Sequence, residues 1–351
     1  MSRDSSSSIV CPVPLEPGDQ IQLGHGGGGR LTARLIERVL VPAFDNPQLA
    51  ALDDGATLEV AGGRLACTTD SFVVTPPFFP GGDIGSLSIY GTANDLAMCG
   101  ADPLFFSAGL ILEEGFPIAS LERVVASMAA ACRRVGAPLV TGDTKVVDRG
   151  KGDGIFINTA GVGRVRPGVS VSSRGARPGD VVLVSGPVGD HGIAVMARRE
   201  GIALKTELQS DCAPVLSLVA ALFDAAPDVR VLRDPTRGGL ATALCEIAAA
   251  SGVGMNLVEA AIPVRDEVRG ACELLGLDPL YVACEGRFLA IVPREREEAA
   301  LLALRALADG ASAARIGEVT EARLGAVRLR TPLGSYRVLE RHSGEQLPRI
   351  C

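Results

Sequence analysis

The chain ends on a cysteine, Cys351, in the run Pro348-Arg349-Ile350-Cys351. Chain ends are frayed and solvated unless something ties them down, so a thiol on the last residue is poorly placed for packing and well placed for chemistry. The segment from His342 to Cys351, extended at ~3.3 Å per residue, would carry that thiol on the order of 30 Å and reads as a swinging arm. Its acidity is open. A free thiol ionises near ~8.5; Arg349 would lower that value and the adjacent carboxylate would raise it. A prenyl anchor needs further residues after the cysteine and is not expected.

A second group of chemically capable residues is acidic and sits beside glycine turns or inside strands. It comprises Asp53-Asp54-Gly55, Asp70 within Leu65 to Val74, Asp83 between Gly81 and Gly85, Asn94-Asp95, the run Thr141-Gly142-Asp143-Thr144-Lys145, and Asn158 with Thr159. Further on come Asp234-Pro235-Thr236-Arg237-Gly238-Gly239 and Cys284-Glu285-Gly286. A carboxylate in an apolar strand, as at Asp70, needs a partner, which magnesium or a salt bridge would supply. Each acid alone is as well explained by a routine salt bridge, and Asp53 and Asp54 by a solvated turn. Several together, beside glycines and a lysine, look like a metal-nucleotide site, because Mg2+ prefers oxygen ligands and shares them with phosphates. Gly24 to Arg30, a glycine loop opening a helix, is a phosphate-site candidate through its backbone N–H groups. It lacks the ending of a Walker loop, and a surface loop explains it equally. His191, in Gly189-Asp190-His191-Gly192, reads as a helix cap or surface residue.

These residues need a scaffold, and 351 residues at 47% hydrophobic content supply enough for about two domains. A net charge of −7, no tryptophan and only three tyrosines argue against nucleic-acid binding, which needs a basic stripe and stacking platforms. Met1 to Ser8 is polar, and the longest apolar run, Cys212 to Phe223, contains Pro214 and falls short of the ~20 residues that span a bilayer. A cytoplasmic protein without membrane contact is expected. Nine scattered cysteines without a C-x-x-C pair, and only three histidines, imply free thiols and no zinc site.

Periodicity places helices at Leu31 to Leu40, Ser86 to Ala101, Leu121 to Val135, after His191, from Leu240, at Glu267 to Leu275 and at Arg294 to Ala308. Strands fall at Leu65 to Val74, Pro103 to Leu112, Ile155 to Val162, Val181 to Gly186, Val229 to Arg233, Gly254 to Val258, Arg287 to Pro293, Arg315 to Val319 and Val327 to Arg330, with Leu139 to Val147 a strand-to-loop junction. The alternation in the second half is that of an α/β chain. Pro167, Gly168, Pro178 and Gly179 mark a boundary. The expected organisation is a flexible segment 1–23, an N-terminal domain 24–166, a C-terminal domain 167–340 and a tail 341–351.

With these motifs in view, the sequence resembles the HypE-type hydrogenase maturation factors, of the superfamily that holds aminoimidazole ribonucleotide synthetase, thiamine monophosphate kinase and selenophosphate synthetase. The resemblance is nearly full length, and its most specific element is the ending Pro348-Arg349-Ile350-Cys351. It implies a two-domain aminoimidazole ribonucleotide synthetase-like fold, α/β (α+β), with a mobile C-terminal tail, a homodimer, and ATP and Mg2+ bound between the domains. By resemblance, Asp54, Asp70, Asp95 and Asp234 match the acids that hold Mg2+ and phosphate. Asp83, Asn94, Asp143 and Asn158 match their nucleotide-site neighbours. Lys145 matches an active-site lysine, Glu285 a base, and Cys351 the cysteine that a partner, HypF, loads with a carbamoyl group. The implied activity is ATP-dependent dehydration of that group to a thiocyanate, whose cyanide passes to iron on a HypC-HypD complex during [NiFe]-hydrogenase maturation.

Other readings stand beside it. A selenophosphate-synthetase-like enzyme would want a cysteine at the N-terminal glycine loop, and Cys11 lies 13 residues before Gly24. A small-molecule kinase would explain the acids and leave Cys351 idle. A non-catalytic maturation scaffold would need neither.

Overall fold

The computed structural model describes residues 29–40, 51–202, 208–322, 324–341 and 350–351. The segment 1–23, most of the glycine loop (Gly24 to Gly28) and His342 to Arg349 lie outside them. A short helix α1 (Arg30–Leu35) runs into a π-helical turn, Ile36–Leu40.

The N-terminal unit follows as β1 (Ala56–Val60), β2 (Gly63–Phe72), the small hairpin β3 (Phe78–Phe79) and β4 (Gly82–Asp83), α2 (Ile84–Met98), β5 (Ala101–Glu113), α3 (Ile118–Val135), β6 (Leu139–Val147) and β7 (Ile155–Val165). Its main sheet has the order β1-β2-β7-β5-β6. Only β5 and β6 are parallel, and a parallel pair requires a crossover, which α3 provides. Val124, Met128, Ala131 and Cys132, one helical face, bury α3 against the core, and Gly136 in the left-handed region ends it. Strand β1, which begins just after the turn read at Asp53 and Asp54, forms because its register on β2 closes a hairpin at Val60 and Gly63. Helix α2 stops at Met98, short of the expected Ala101, because Gly100 turns the chain at φ +68 and Ala101 already pairs with Val165. The strand-to-loop junction expected over Leu139 to Val147 is instead continuous strand.

The second unit comprises β8 (Val181–Val184), α4 (Asp190–Glu200), α5 (Leu216–Ala225), β9 (Val231–Arg233), α6 (Gly239–Ser251), β10 (Gly254–Val258), α7 (Asp266–Leu275), β11 (Leu289–Val292), α8 (Glu297–Arg305), β12 (Ala314–Thr320), β13 (Val327–Arg330) and β14 (Tyr336–Leu339). Its sheet order is β14-β13-β10-β12-β8-β11-β9. Val182 and Val184 face α6 while Val181 and Leu183 face α5 and α8, so β8 is covered on both sides and reads as an unbroken apolar run. Alternation of elements along the chain does not make this sheet parallel: β10 and β13 pair in parallel, and the other pairings are antiparallel.

The two units share a seam. Ala97 and Met98 of α2 pack into the cluster built by Leu218, Val219 and Leu222 of α5, while Val195 and Cys212 join the N-terminal core. A helix apolar on all sides must be buried on all sides, and α2 is. Among the described residues no helix is long and apolar enough to cross a membrane.

Candidate active site

Strand alternation decides which acids meet. Thr68 and Asp70 point from β2 towards α2, where the Thr68 hydroxyl lies 2.8 Å from Asp95 Oδ2 and 3.0 Å from the Asp54 carbonyl oxygen. From the other unit, the end of β9 brings Arg233 to 2.7 Å from Asp54 and to 3.0 Å from Glu246, and the loop beyond it brings Asp234 and Arg237. Gly239 lets that loop turn into α6, since a Cβ there would stand 2.7 Å from the Leu280 carbonyl oxygen. Asp54 is therefore not a solvated turn residue: its side chain is 11% exposed and ion-paired.

Burial governs the charge of this cluster. It pushes Asp95 well above the carboxylate range, reinforced by the Asp234, Asp70 and Asp54 carboxylates, and it pushes Asp54 up against the opposing pull of Arg233. Asp234 is pushed up by burial to about 6, again against Arg233, and Asp70 is raised by burial while Arg237, 3.8 Å away, opposes.

Glu285 and Cys351 complete the cleft. Glu285 is buried on the loop before β11; its N–H donates to Asp211 Oδ1 at 3.2 Å and its carbonyl accepts from Asn94 Nδ2 at 3.2 Å. Gly286 is obligatory here, because a Cβ would lie 1.8 Å from the Asp211 carbonyl oxygen. The Glu285 carboxyl lies beside the Cys351 thiol, and its Oε1 has no hydrogen-bond partner among the described residues. Burial, then Asp234 and Asp70, push Glu285 far up, and burial and Glu285 do the same to Cys351, so the question of its acidity is answered in favour of a neutral thiol. The described end of the chain, Ile350 and Cys351, is packed against the body. Ile350 is 3% exposed, and the Val73 N–H donates to a terminal carboxylate oxygen of Cys351 at 3.2 Å.

Five expected nucleotide-site residues stand elsewhere. Asp83 caps α2, accepting from the Ser86 N–H at 2.9 Å, so its carboxylate is spent on the helix start. Asn94 is a structural clamp: both Nδ2 hydrogens are used, donating to the Ala213 and Glu285 carbonyls, and Oδ1 accepts from the Val215 N–H. Asn158, Asp143 and Lys145 lie on the opposite face of the sheet from Asp70. Ser71, Asn158, Gly109 and Asp143 follow one another across β2, β7, β5 and β6, and Lys145 is two residues further on the same face. Three strand spacings of about 4.8 Å separate β6 from β2. Lys145 instead pairs with Asp143 at 2.7 Å, both some 70% exposed, and holds that carboxyl below its ordinary range.

Several residues of the cleft escaped the sequence reading. Arg233 and Arg237 flank the Asp234 motif and were visible only as its neighbours. His191 is fully buried, not a surface residue, because α4 starts beneath the docked chain end. Asp211 follows Gln209 and Ser210 just ahead of the apolar run Cys212 to Phe223, and nothing local marked it.

No three Asp, Glu, His or Cys side chains among the described residues are gathered to hold a metal ion unaided. Mg2+ takes one or two carboxylates and completes its shell with water and phosphate oxygens, a role that Asp54, Asp95 and Asp234 fit, since their crowding is relieved by a cation.

The chain matches the AIR synthase related protein models, the N-terminal domain over residues 52–165 and the C-terminal domain over 177–330. It is 55% identical over 341 residues to carbamoyl dehydratase HypE of Cupriavidus necator, covering 97% of each chain. A crystal structure of HypE in complex with ATP superposes with a TM-score of 0.80 at 49% identity, over 95% of this chain and 100% of that one. A crystal structure of a HypE-HypF complex gives a TM-score of 0.83 at 46% identity, over 88% and 99%. Through a cleft that seats a terminal thiol against a buried carboxyl, and through these similarities along nearly its whole length, the chain belongs to the HypE carbamoyl dehydratase family of AIR synthase related proteins.

Proposed function

We propose that this protein is an ATP-dependent carbamoyl dehydratase that converts a carbamoyl group on its own Cys351 into a thiocyanate. The observation that carries this is the seating of the Cys351 thiol against Glu285 in a cleft lined by acids from both domains. A kinase reading leaves that contact without purpose.

The chemistry removes one oxygen and two hydrogens from S–C(=O)–NH2. ATP supplies the activation by making the amide oxygen leave as phosphate, and Mg2+ offsets the charge on the transferring group. Asp54, Asp95 and Asp234 would hold the cation. Cys351 keeps the carbon on its sulfur throughout. Of the two amide protons, one passes to solvent as the oxygen is phosphorylated, and Glu285 takes the other as phosphate leaves and the carbon-nitrogen triple bond forms; a carboxylate whose proton affinity is raised by burial is a strong acceptor once the charge around it is offset. Asn94 and Asp211 hold the Glu285 backbone in place.

Lys145 cannot reach this cleft within one chain, and a homodimer is the reading that gives it a role. Strand β6 is an edge strand with Val140 and Val146 exposed at 58% and 67%, a surface suited to covering by a second copy. The carbamoyl donor would be HypF, as the complex formed by a relative suggests, and the cyanide acceptor a HypC-HypD complex, as the family resemblance implies; work in the cytoplasm is consistent with both.

Intact-mass measurement after incubation with HypF, carbamoyl phosphate and ATP tests the proposal. The expected result is a carbamoyl adduct that becomes one water lighter when ATP and Mg2+ are present. An adduct that forms and stays at its first mass would overturn it.

A further inference from the structure

We infer that His191 is a positioning residue that catches the chain end through the Ile350 carbonyl and so aims the Cys351 sulfur at Glu285. This rests on the function proposed above. Nε2 of His191 lies 2.8 Å from the Ile350 carbonyl oxygen and Nδ1 lies 2.7 Å from Ser210 Oγ. A carbonyl only accepts, so Nε2 carries the proton and donates; in a neutral ring Nδ1 then accepts, and Ser210 must donate its hydroxyl proton to it. Ser210 is prepared for this, because its oxygen already accepts the Cys212 N–H at 3.0 Å and its own N–H is held by the Pro80 carbonyl at 2.8 Å. The relay therefore runs in one direction, from Cys212 N–H through Ser210 and His191 to Ile350.

The ring itself is fixed. It is fully buried at the first turn of α4, and Phe79 meets it edge-on with ring centroids 5.3 Å apart. Burial keeps it neutral, the state the relay needs. The chain end is then pinned on both sides of the last peptide bond. His191 of the C-terminal unit holds the Ile350 carbonyl, and the Val73 N–H of the N-terminal unit holds the Cys351 carboxylate. With the Ile350 carbonyl and the Cys351 carboxylate held, the thiol has little freedom left, and it rests beside Glu285. Holding a reacting group in a near-attack geometry is worth orders of magnitude in rate.

The test follows alkylation of resting Cys351 by iodoacetamide, read on the mass of the C-terminal peptide, in the full-length protein. Losing a hydrogen bond to a buried carbonyl is expected to raise labelling about tenfold in His191→Ala. His191→Gln, whose amide N–H can replace Nε2–H, should stay within about threefold of the wild type by the same reasoning. In carbamoylated protein at saturating ATP, His191→Ala should lose water about tenfold more slowly, with KM for ATP unchanged, which a merely structural defect would not produce. Removing a buried ring can harm the fold, so Ser210→Ala is the second probe. It keeps the ring, removes only the group that sets its tautomer, and should raise labelling about threefold. Wild-type labelling in Ser210→Ala, with wild-type labelling or outright unfolding in His191→Ala, overturns the assignment and leaves His191 a packing residue. If the wild type never loses a water with ATP, the proposed function fails, while the labelling results still judge the catch.

Discussion

The two faces of the N-terminal sheet carry acids from similar sequence surroundings and treat them in opposite ways. Facing the helices, Asp70 and its neighbour Asp95 are crowded by other carboxylates and raised by burial; facing outward, Asp143 is bathed in solvent, paired with Lys145 and lowered. The residue type is the same. What differs is the parity of the position along a strand, and so whether the carboxyl meets low dielectric and like charge or water and a cation. Raised acids await a partner that offsets them, whereas a paired surface acid has its partner already.

The largest effects should follow from emptying the helix-side cleft. Cys351→Ala should show no carbamoyl adduct by mass, and Glu285→Gln should load normally but lose water some hundredfold to ten-thousandfold more slowly, the range a positioned proton acceptor supplies. Dehydration by Glu285→Gln at the wild-type rate would mean that the buried carboxyl is not the base.

A smaller effect belongs to nucleotide binding. Asp95→Asn and Asp234→Asn should each weaken ATP by about tenfold or more in calorimetry, since an amide does not offset a cation, while Asp143→Asn should stay within about twofold. Chelation of Mg2+ should reproduce the weakening in the wild type. Equal loss at Asp143 and Asp234 would erase the contrast between the two faces.

Smaller again is the proton linkage. Asp234 is raised from 3.8 to about 6 in the folded protein, so the stability that its neutral form contributes is present below the unfolded value and is lost as pH climbs from about 4 to about 6. A cation needs the ionised form. The thermal shift produced by Mg2+ and ATP should therefore grow between about pH 5 and about pH 7, with protons released on binding, as titrations in buffers of different ionisation enthalpy would show. A pH-independent shift would place the cation away from Asp234.

What was legible in the sequence depended on how local the cause was. Helix α3 could be read from its spacing, since two turns of helix suffice to define the face of Val124, Met128 and Ala131. The cluster of Asp54, Asp70, Asp95, Asp234 and Glu285 came from motif resemblance, and the structure gathers it at the seam between two units that no local pattern foretells. The face on which Asn158 or Lys145 lies depends on register across four strands, which spacing within one strand does not carry. The Asp83 cap is written locally in Asp83-Ile84-Gly85-Ser86, although the resemblance implied a nucleotide-site role for it. His191 was the hardest to read, because its partner, Ile350, is 159 positions away in the chain.

The smallest effect on the isolated chain should come from Lys145, and it sharpens the comparison most. An exposed ion pair contributes little to folding, so Lys145→Ala should leave melting temperature and the ATP affinity of the cleft unchanged. Catalysis is another matter if a second copy covers β6. A chain carrying Lys145→Ala keeps its own cysteine, and a chain carrying Cys351→Ala keeps its lysine. Each alone should be inactive. If the open face of one copy completes the cleft of the other, mixing the two and allowing subunits to exchange should restore the loss of water on the intact cysteine. If the lysine serves its own chain, the mixture stays inactive, and if Lys145→Ala works unaided, the open face has no part in the chemistry.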